Sequence, residues 1–405
     1  MYRTNIGRRK YLFDLVVIGG LGHLGLPLGL AFAHKGLKVC LCDLDSKKAG
    51  LLKKGKMPFI EYGTEKILRN VLKKKNLKIS LEMNSVSKAK YVIIAIGTPV
   101  DEYLNPRINN FIKIISRIKK YLHKDQAIIV CSTVYPGTCK QILKVLGEDE
   151  EWSIAYCPER TVQGYAIKEL SELPNIVAGM TDKALEEACD LFSVISRKII
   201  KTSIEEAELI KLFSNAWRYI KFAVTNQFYM IAENLGVDYK RVRKFMVEEY
   251  GRAITLPSAG FAAGPCLLKD TMQLAAFNNN NFFLGHAAMM INEGLPNFIV
   301  EKLRRKYDLS KIRVGILGMT FKADIDDIRE SLSYKLGKIL KFYGAKVLYS
   351  DEFVKDSTFI PKEKLIENSD VVIIAVLHSV YKRLRIPNKI EVINLWDHNF
   401  KTETE

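Results

Sequence analysis

Short apolar, β-branched runs alternate with segments of helical periodicity through the first part of the chain. LVVIGG, then LGHLGLPLGLAFAHKG, then LKVCLCDLD reads as strand, glycine turn, helix and strand, a βαβ unit. Further strands are expected at Tyr91 to Ile96 and Ala127 to Cys131, each followed by turn chemistry, GTP and STVYPG. A parallel, doubly wound sheet follows from that alternation. From Ile204 to about Leu235 the pattern changes to one long helical run without proline or glycine, a spine between domains, and helical character continues to about Glu249. The loop GRAITLPSAGFAAGPC then leads into a helix expected at about Leu267 to Phe277.

The last hundred or so residues repeat the opening signals in order. GLKVCLCD (Gly36 to Asp43) has its counterpart in GAKVLYSD (Gly344 to Asp351), and AKYVIIAIGTP in SDVVIIAVLHS. The expected fold is α/β: a Rossmann domain over 11–202, a central helical and dimerising domain over 203–296, and a second, Rossmann-like domain over 297–405. Because VGILGMTFK lacks G-x-G-x-x-G, the second copy should not hold a dinucleotide in the standard way.

Composition narrows the function classes. With 405 residues and 48% hydrophobic content the chain has room for two or three cores. No apolar run approaches the length of a membrane span, and Arg3, Arg8, Arg9 and Lys10 form a basic lead-in without the apolar stretch of a signal peptide. Seven scattered cysteines without C-x-x-C spacing fit a reducing, cytoplasmic setting, and no histidine cluster suggests a metal. The net charge of +17 would suit nucleic acid, an anionic membrane or phosphorylated small molecules. Much of it lies in lysine-rich segments such as Lys73 to Lys75 without interleaved aromatics, so a solvated basic surface is the better reading, with neither nucleic acid nor membrane as partner.

Gly20, Gly22 and Gly25 make G-x-G-x-x-G between strand and helix, with Leu24 in the same turn. The first glycine permits the turn, the second lets backbone approach a pyrophosphate, and the third allows close helix packing at an anion-attracting N-terminus. Asp43 closes the next strand, where a carboxylate accepts ribose hydroxyls and repels a 2′-phosphate, which points to NAD rather than NADP. Cys266, preceded by glycines and followed by a helix, stands where a thiol becomes a usable thiolate, although on that evidence alone a buried, inert cysteine is the commoner outcome.

Taken in order, GGLGHLGLP, GTP at Gly97 to Pro99, STVYPGT at Ser132 to Thr138, CPER at Cys157 to Arg160, ELIKLFSNAWR at Glu208 to Arg218, GPCLLKD at Gly264 to Asp270 and GMTFKADIDDIRES at Gly318 to Ser331 resemble the UDP-glucose/GDP-mannose dehydrogenase family across nearly the whole chain. The resemblance implies NAD-dependent, four-electron oxidation of the C6 hydroxymethyl of a UDP-sugar to a uronic acid through a thiohemiacetal and a thioester on Cys266. It implies further that Lys211 and Asn215, one helical turn apart, face a developing oxyanion, that Asp270 orients Lys211 or a water, and that Thr133 and Glu159 lie near the reacting carbon with Glu159 as base for hydrolysis. Thr98 is carried over to the cofactor, Lys322 and Arg329 to the nucleotide sugar, and Arg252 to the substrate of a neighbouring subunit. Leu268 in place of a common proline, and Ala263-Gly264 before the cysteine, bear on substrate preference, and CPER looks more like members acting on N-acetylated sugars.

Singly, these residues have plainer readings: a solvated helix lysine at Lys211, a surface amide at Asn215, a turn residue at Thr133, an ion-pair partner at Glu159 and a loop residue at His23. Two other functions stay open on residues alone. A two-electron hydroxyacid dehydrogenase would share the first domain but needs neither a second Rossmann-like domain nor a cysteine. A non-catalytic NAD-binding or nucleic-acid-binding protein would leave Lys211, Asn215, Cys266 and Asp270 without a role.

Overall fold

The computed structural model describes residues 11–101, 104, 107–148, 151–396, 398 and 401–402, so the basic lead-in with Arg3, Arg8, Arg9 and Lys10 lies outside the described residues. The chain divides into two compact units, with the boundary between Phe213 and Ser214.

In the N-terminal unit the apolar runs become β1 (Phe13–Ile18), β2 (Val39–Cys42), β3 (Leu77–Ser80), β4 (Ala89–Ile94), β5 (Ala127–Val130), β6 (Ser153–Tyr156), β7 (Asn175–Gly179) and β8 (Ile199–Thr202). Between them run α1 (Gly25–His34), α2 (Ser46–Lys53), α3 (Thr64–Lys73), α4 (Ile108–Lys119), α5 (Thr138–Leu146), α6 (Ala166–Glu172) and α7 (Asp182–Ser193). The strands form one sheet in the order β3-β2-β1-β4-β5-β6-β7-β8, so the chain reverses its direction of travel across the sheet between β1 and β4. In open α/β sheets ligands bind at that switch point, beyond the carboxyl ends of the strands. The expected parallel sheet has one departure: β6 and β7 pair antiparallel, and β8 then runs parallel to β7. Both faces are covered, one around Leu15, Val17, Leu41 and Ile129, the other around Val16, Ile18, Val92 and Ile128. Burial on both sides is why these strands read as continuous apolar runs.

The proline-free run becomes α8 (Ile204–Asn234), whose opening turns bury Ile204 and Ala207 in the N-terminal core. Its later turns belong to the second unit, where Tyr219 and Ala223 pack with Ala262, Leu267 and Ala288. There follow α9 (Tyr239–Val247), α10 (Leu267–Phe277), α11 (Phe283–Arg304), α12 (Leu332–Phe342) and α13 (Lys362–Glu367). The strands are β9 (Arg313–Leu317), β10 (Lys346–Ser350), β11 (Val371–Ile374), β12 (Arg385–Ile386), β13 (Glu391–Asn394) and β14 (Lys401–Thr402). The order β10-β9-β11-β13, all parallel, reproduces β2-β1-β4-β5, as the repeat of sequence signals predicts. Among the described residues no helix is long and apolar enough to cross a membrane.

Candidate functional site

The N-terminal unit carries most of its candidates at the carboxyl ends of β1, β2, β4, β5 and β6. Leu24 stands at the N-cap of α1 and offers no side-chain cap, so it leaves to an anion the N-terminal N–H groups that a polar residue there would take. A Cβ on Gly25 would lie 2.3 Å from Gly19 O, so glycine there lets the helix close onto the turn. At Gly22 the nearest neighbour of such a Cβ is Gly19 O at 3.4 Å, which leaves that side of the loop open for the close approach a dinucleotide makes. Asp43, just past β2, accepts the N–H of Leu21 on Oδ2 at 3.0 Å and those of Leu44 and Asp45 on Oδ1 at 2.7 and 3.2 Å. Three contacts on a carboxylate with about four acceptor sites leave Oδ2 capacity for a hydroxyl. Gly20, Gly22, Leu24, Gly25 and Asp43 thus fit the NAD that the sequence predicts.

Thr98 and Thr133 meet directly, for Thr98 Oγ1 donates to Thr133 O at 2.6 Å and joins the turns after β4 and β5. The second turn is also held from α8: Glu208, 1% exposed, takes the N–H groups of Gly137 and Cys139 at 2.6 and 3.0 Å. Glu208 lies three residues before Lys211, so the carboxylate that caps α5 fixes the Thr133 turn to the helix carrying the lysine. Glu159 folds back on its own loop, its Oε1 accepting from the N–H groups of Arg160 and Thr161 at 2.7 and 3.0 Å. Burial raises its carboxyl above the ordinary value, and those two N–H groups and the Lys211 charge offset only part of the rise. The loop after Glu159 is clamped by Glu61, whose buried carboxylate accepts from Gly164 N at 2.9 Å and Ala166 N at 2.6 Å. His23, in the glycine loop, packs at a tilt against Phe59 of the same segment as Glu61, with ring centroids 4.0 Å apart.

In the C-terminal unit Cys266 is exposed and forms the N-cap of α10. One turn on, Asp270 is 1% exposed, and Asn215 Nδ2 donates to its Oδ2 at 2.5 Å. Lys269 Nζ lies 2.5 Å from the other oxygen as an ion pair. The acid expected to orient a lysine or a water is therefore oriented itself, by an amide and by a lysine outside the predicted set. The stretch before Cys266 is fixed at two glycines. Gly260 exchanges hydrogen bonds with the buried side chain of Asn226, N to Oδ1 and Nδ2 to O, both at 3.0 Å. Gly264, at φ +98°, donates to Glu330 O at 3.2 Å and lies so near the Phe321 ring that a Cβ would stand 2.5 Å from it. The cysteine loop is thus seated on the 318–331 loop, which carries Lys322 and Arg329.

Arg329 forks Asp327, with Nε 2.9 and 3.0 Å from the two oxygens and Nη2 2.6 Å from Oδ2. These bonds to Asp327 raise its pKa, burial opposes them, and the charges of Asp327 and Cys266 add to the rise. Arg252 is exposed on the turn after α9, its guanidinium 5.9 Å from the Tyr250 ring centroid. Glu208, quoted only as the start of ELIKLFSNAWR, and Asn226 carry no role in the sequence reading; each is a polar residue on the face of α8 that packing buries.

The comparisons agree along the chain. The model described as the UDP-glucose/GDP-mannose dehydrogenase family, NAD binding domain, matches residues 14–196; that family's central domain matches 205–293, and its UDP binding domain 315–397. A UDP-N-acetyl-D-mannosamine dehydrogenase of Methanocaldococcus jannaschii is 30% identical over 396 residues, covering 94% of this chain and 88% of that one. Among solved structures, the UDP-D-ManNAc dehydrogenase of Pyrococcus horikoshii superposes with a TM-score of 0.85 at 26% identity, covering 96% of this chain and 98% of that one. A UDP-glucose dehydrogenase of Pyrobaculum islandicum gives 0.84 at 25% identity, covering 94% and 93%.

Proposed function

We propose that this chain, which belongs to the UDP-glucose/GDP-mannose dehydrogenase family, oxidises C6 of UDP-N-acetyl-D-mannosamine to the carboxylate through a covalent intermediate on Cys266. It is an NAD-dependent oxidoreductase of the UDP-sugar 6-dehydrogenase type. The N-acetylmannosamine preference draws support from the relatives of that name and from CPER. The observation that carries the covalent reading is the exposed Cys266 heading the helix whose first turn buries Asp270 against Asn215. NAD, when bound, is the two-electron acceptor of each oxidation. Cys266 Sγ adds to the aldehyde carbon, which makes that carbon tetrahedral and leaves a thioester after the second oxidation. Lys211 and Asn215 stabilise the oxyanion, and Thr133 borders the reacting carbon. Glu159, its basicity raised by burial, takes the proton of the water that cleaves the thioester and restores the thiol. Lys322 and Arg329 hold the nucleotide end of the sugar.

Cys266→Ser tests this. Net acid formation should fall by about a thousandfold or more, the loss expected when a covalent nucleophile goes, while NAD and UDP-sugar binding change little. Unmutated enzyme should give two NADH per sugar. One NADH per sugar, or normal acid formation by Cys266→Ser, overturns the covalent route.

The working form is a homodimer, or a higher homo-oligomer, in the cytoplasm. Trp217, Val224, Phe228 and Ile231 stand exposed along α8 at spacings of seven, four and three, an apolar stripe of the kind that pairs helices. The exposure of Arg252 suits its service to a neighbouring subunit. Sedimentation at assay concentration should find at least a dimer, and a fully active monomer excludes both the dimer and the role of Arg252 in trans.

A further inference from the structure

One buried imidazole is among the groups that pin the loop over residues 318–331 to the C-terminal sheet. His378, 0% exposed, follows β11. Its Nδ1 accepts the N–H of Asp324 at 2.9 Å, and its Nε2 lies 3.0 Å from Asp351 Oδ2 and 3.4 Å from Thr320 Oγ1. With Nδ1 accepting, the proton belongs on Nε2, from which it is donated to the carboxylate. The ring packs between Phe353 and Tyr381, at centroid distances of 4.7 and 5.2 Å. Three loops therefore meet on one side chain: those after β9, β10 and β11, all at the carboxyl ends of parallel strands, the side on which such sheets bind ligands.

What this fixes is the backbone around Lys322. Asp324 sits at φ +60°, in the left-handed region that non-glycine residues enter uncommonly and aspartate more readily than most, and its neighbours hold it there. His378 supplies one restraint, and the next residue supplies two more, since Ser379 N and Oγ donate to Asp324 Oδ1 at 2.8 and 3.0 Å. On the other side of the lysine, Thr320 Oγ1 donates to Lys322 O at 2.8 Å and Ser331 Oγ to Thr320 O at 3.1 Å. Asp351 Oδ2 also takes the N–H groups of Met319 and Thr320 at 2.6 and 3.2 Å. The carboxylate that His378 holds is thus the one that holds the start of the loop.

We infer that His378 is a positioning residue for the nucleotide end of the substrate: the Nε2-protonated imidazole ties Asp351 to Asp324 and so presents Lys322 in one backbone conformation. This rests on the reading that Lys322 binds the nucleotide sugar, and the experiment tells the failure of one from the failure of the other.

Three variants divide the contacts. His378→Asn can keep an acceptor for Asp324 N, His378→Gln can keep a donor for Asp351, and His378→Leu keeps neither. With UDP-N-acetyl-D-mannosamine and NAD varied independently, KM for the sugar nucleotide should rise about tenfold in His378→Leu, the factor for one lost hydrogen bond. His378→Asn should rise less than His378→Gln, and kcat and KM for NAD should change far less in all three. A merely structural role would lower stability and active fraction and move both KM values together or neither. Nitrogen NMR of the unmutated protein should find the Nε2-protonated tautomer. A proton on Nδ1, or a sugar KM in soluble His378→Asn and His378→Gln that follows no such order, overturns the inference. If Lys322→Ala leaves the sugar KM unchanged, the reading of Lys322 fails and takes the inference with it. If Lys322→Ala raises that KM and His378→Leu does not, the inference alone fails.

Discussion

Both Rossmann-like sheets end their second strand on an aspartate, Asp43 after β2 and Asp351 after β10, in environments that contrast sharply. Asp43 is partly exposed, and its three backbone contacts leave acceptor capacity on Oδ2. The side chain of Asp351 is fully buried: Oδ2 faces Met319 N, Thr320 N and His378, and Oδ1 takes Phe353 N at 2.8 Å and Val354 N at 3.2 Å. One strand-end position thus yields a partly exposed carboxylate with acceptor capacity to spare in one copy and an internal strut in the other. The difference lies in the preceding turn. After β1 it is short and glycine-rich, so backbone stays close and the carboxylate keeps an outward face, whereas after β9 the loop over 318–331 brings a row of donors onto the acid.

The contrast predicts opposite responses to removing each charge, the larger at Asp351. Asp351→Asn is isosteric but turns an amide N–H toward some of the donors that now converge on the carboxylate, which costs about 3 kcal/mol and lowers the melting midpoint by roughly 10 °C. The pH dependence has a definite sign. Burial alone would raise the Asp351 carboxyl, but His378 and the N–H groups of Met319 and Phe353 hold it below its ordinary value. The stability it contributes is therefore present above the unfolded-state value of about 3.9 and is lost as pH falls through the depressed folded value. Acid unfolding followed by circular dichroism should show this contribution missing in Asp351→Asn. An unchanged melting midpoint would mean that the carboxylate is no strut at all.

At Asp43 the effect falls on cofactor choice and is smaller. Asp43→Ala removes an acceptor for ribose hydroxyls and a repulsion toward a 2′-phosphate, together on the order of 2 kcal/mol. The ratio of kcat/KM for NAD over NADP should drop by about thirtyfold, with a melting midpoint much closer to that of the unmutated protein than the Asp351→Asn midpoint. Equal efficiency with both cofactors in the unmutated protein removes Asp43 from the ribose.

That two such aspartates exist is legible in the chain itself, because GLKVCLCD and GAKVLYSD repeat with the acid in register and fold as β2 and β10. The proline-free run likewise becomes α8 to within a residue of its expected end. What the acids touch is not legible. The donors to Asp351 come from Met319 and from His378, 32 and 27 residues away, and local periodicity carries no information about such pairings. The antiparallel step from β6 to β7 escapes for a related reason, since a strand of five residues looks the same read in either direction. In the site, Cys266 and its partners stand out as a set through the family resemblance, whereas the Asn226 clamp on Gly260 depends on which face of α8 turns inward, and that is decided by packing.

Glu159 is a third carboxylate, intermediate between these two, and it gives the smallest and most specific test. Its Oε1 is taken by two backbone N–H groups, as in Asp351, yet burial prevails and its pKa lies above the ordinary value rather than below it, with the Lys211 charge among the opposing influences. A base must be ionised to accept the proton of water, so thioester hydrolysis should fall as pH drops through this raised value. The acidic limb of acid formation should then sit above the roughly 4.3 of an unperturbed glutamate. Glu159→Gln should abolish the limb and let a thioester accumulate on Cys266, visible as a mass adduct of one nucleotide sugar. Replacing Lys211 by methionine removes a charge that favours the ionised carboxylate, so it should move the limb further up, whatever it does to the maximal rate. A limb that stays in place in Lys211→Met but vanishes in Glu159→Gln would keep Glu159 as the base and dismiss the lysine as its neighbour in charge. A limb that survives Glu159→Gln would show that some other group activates the water.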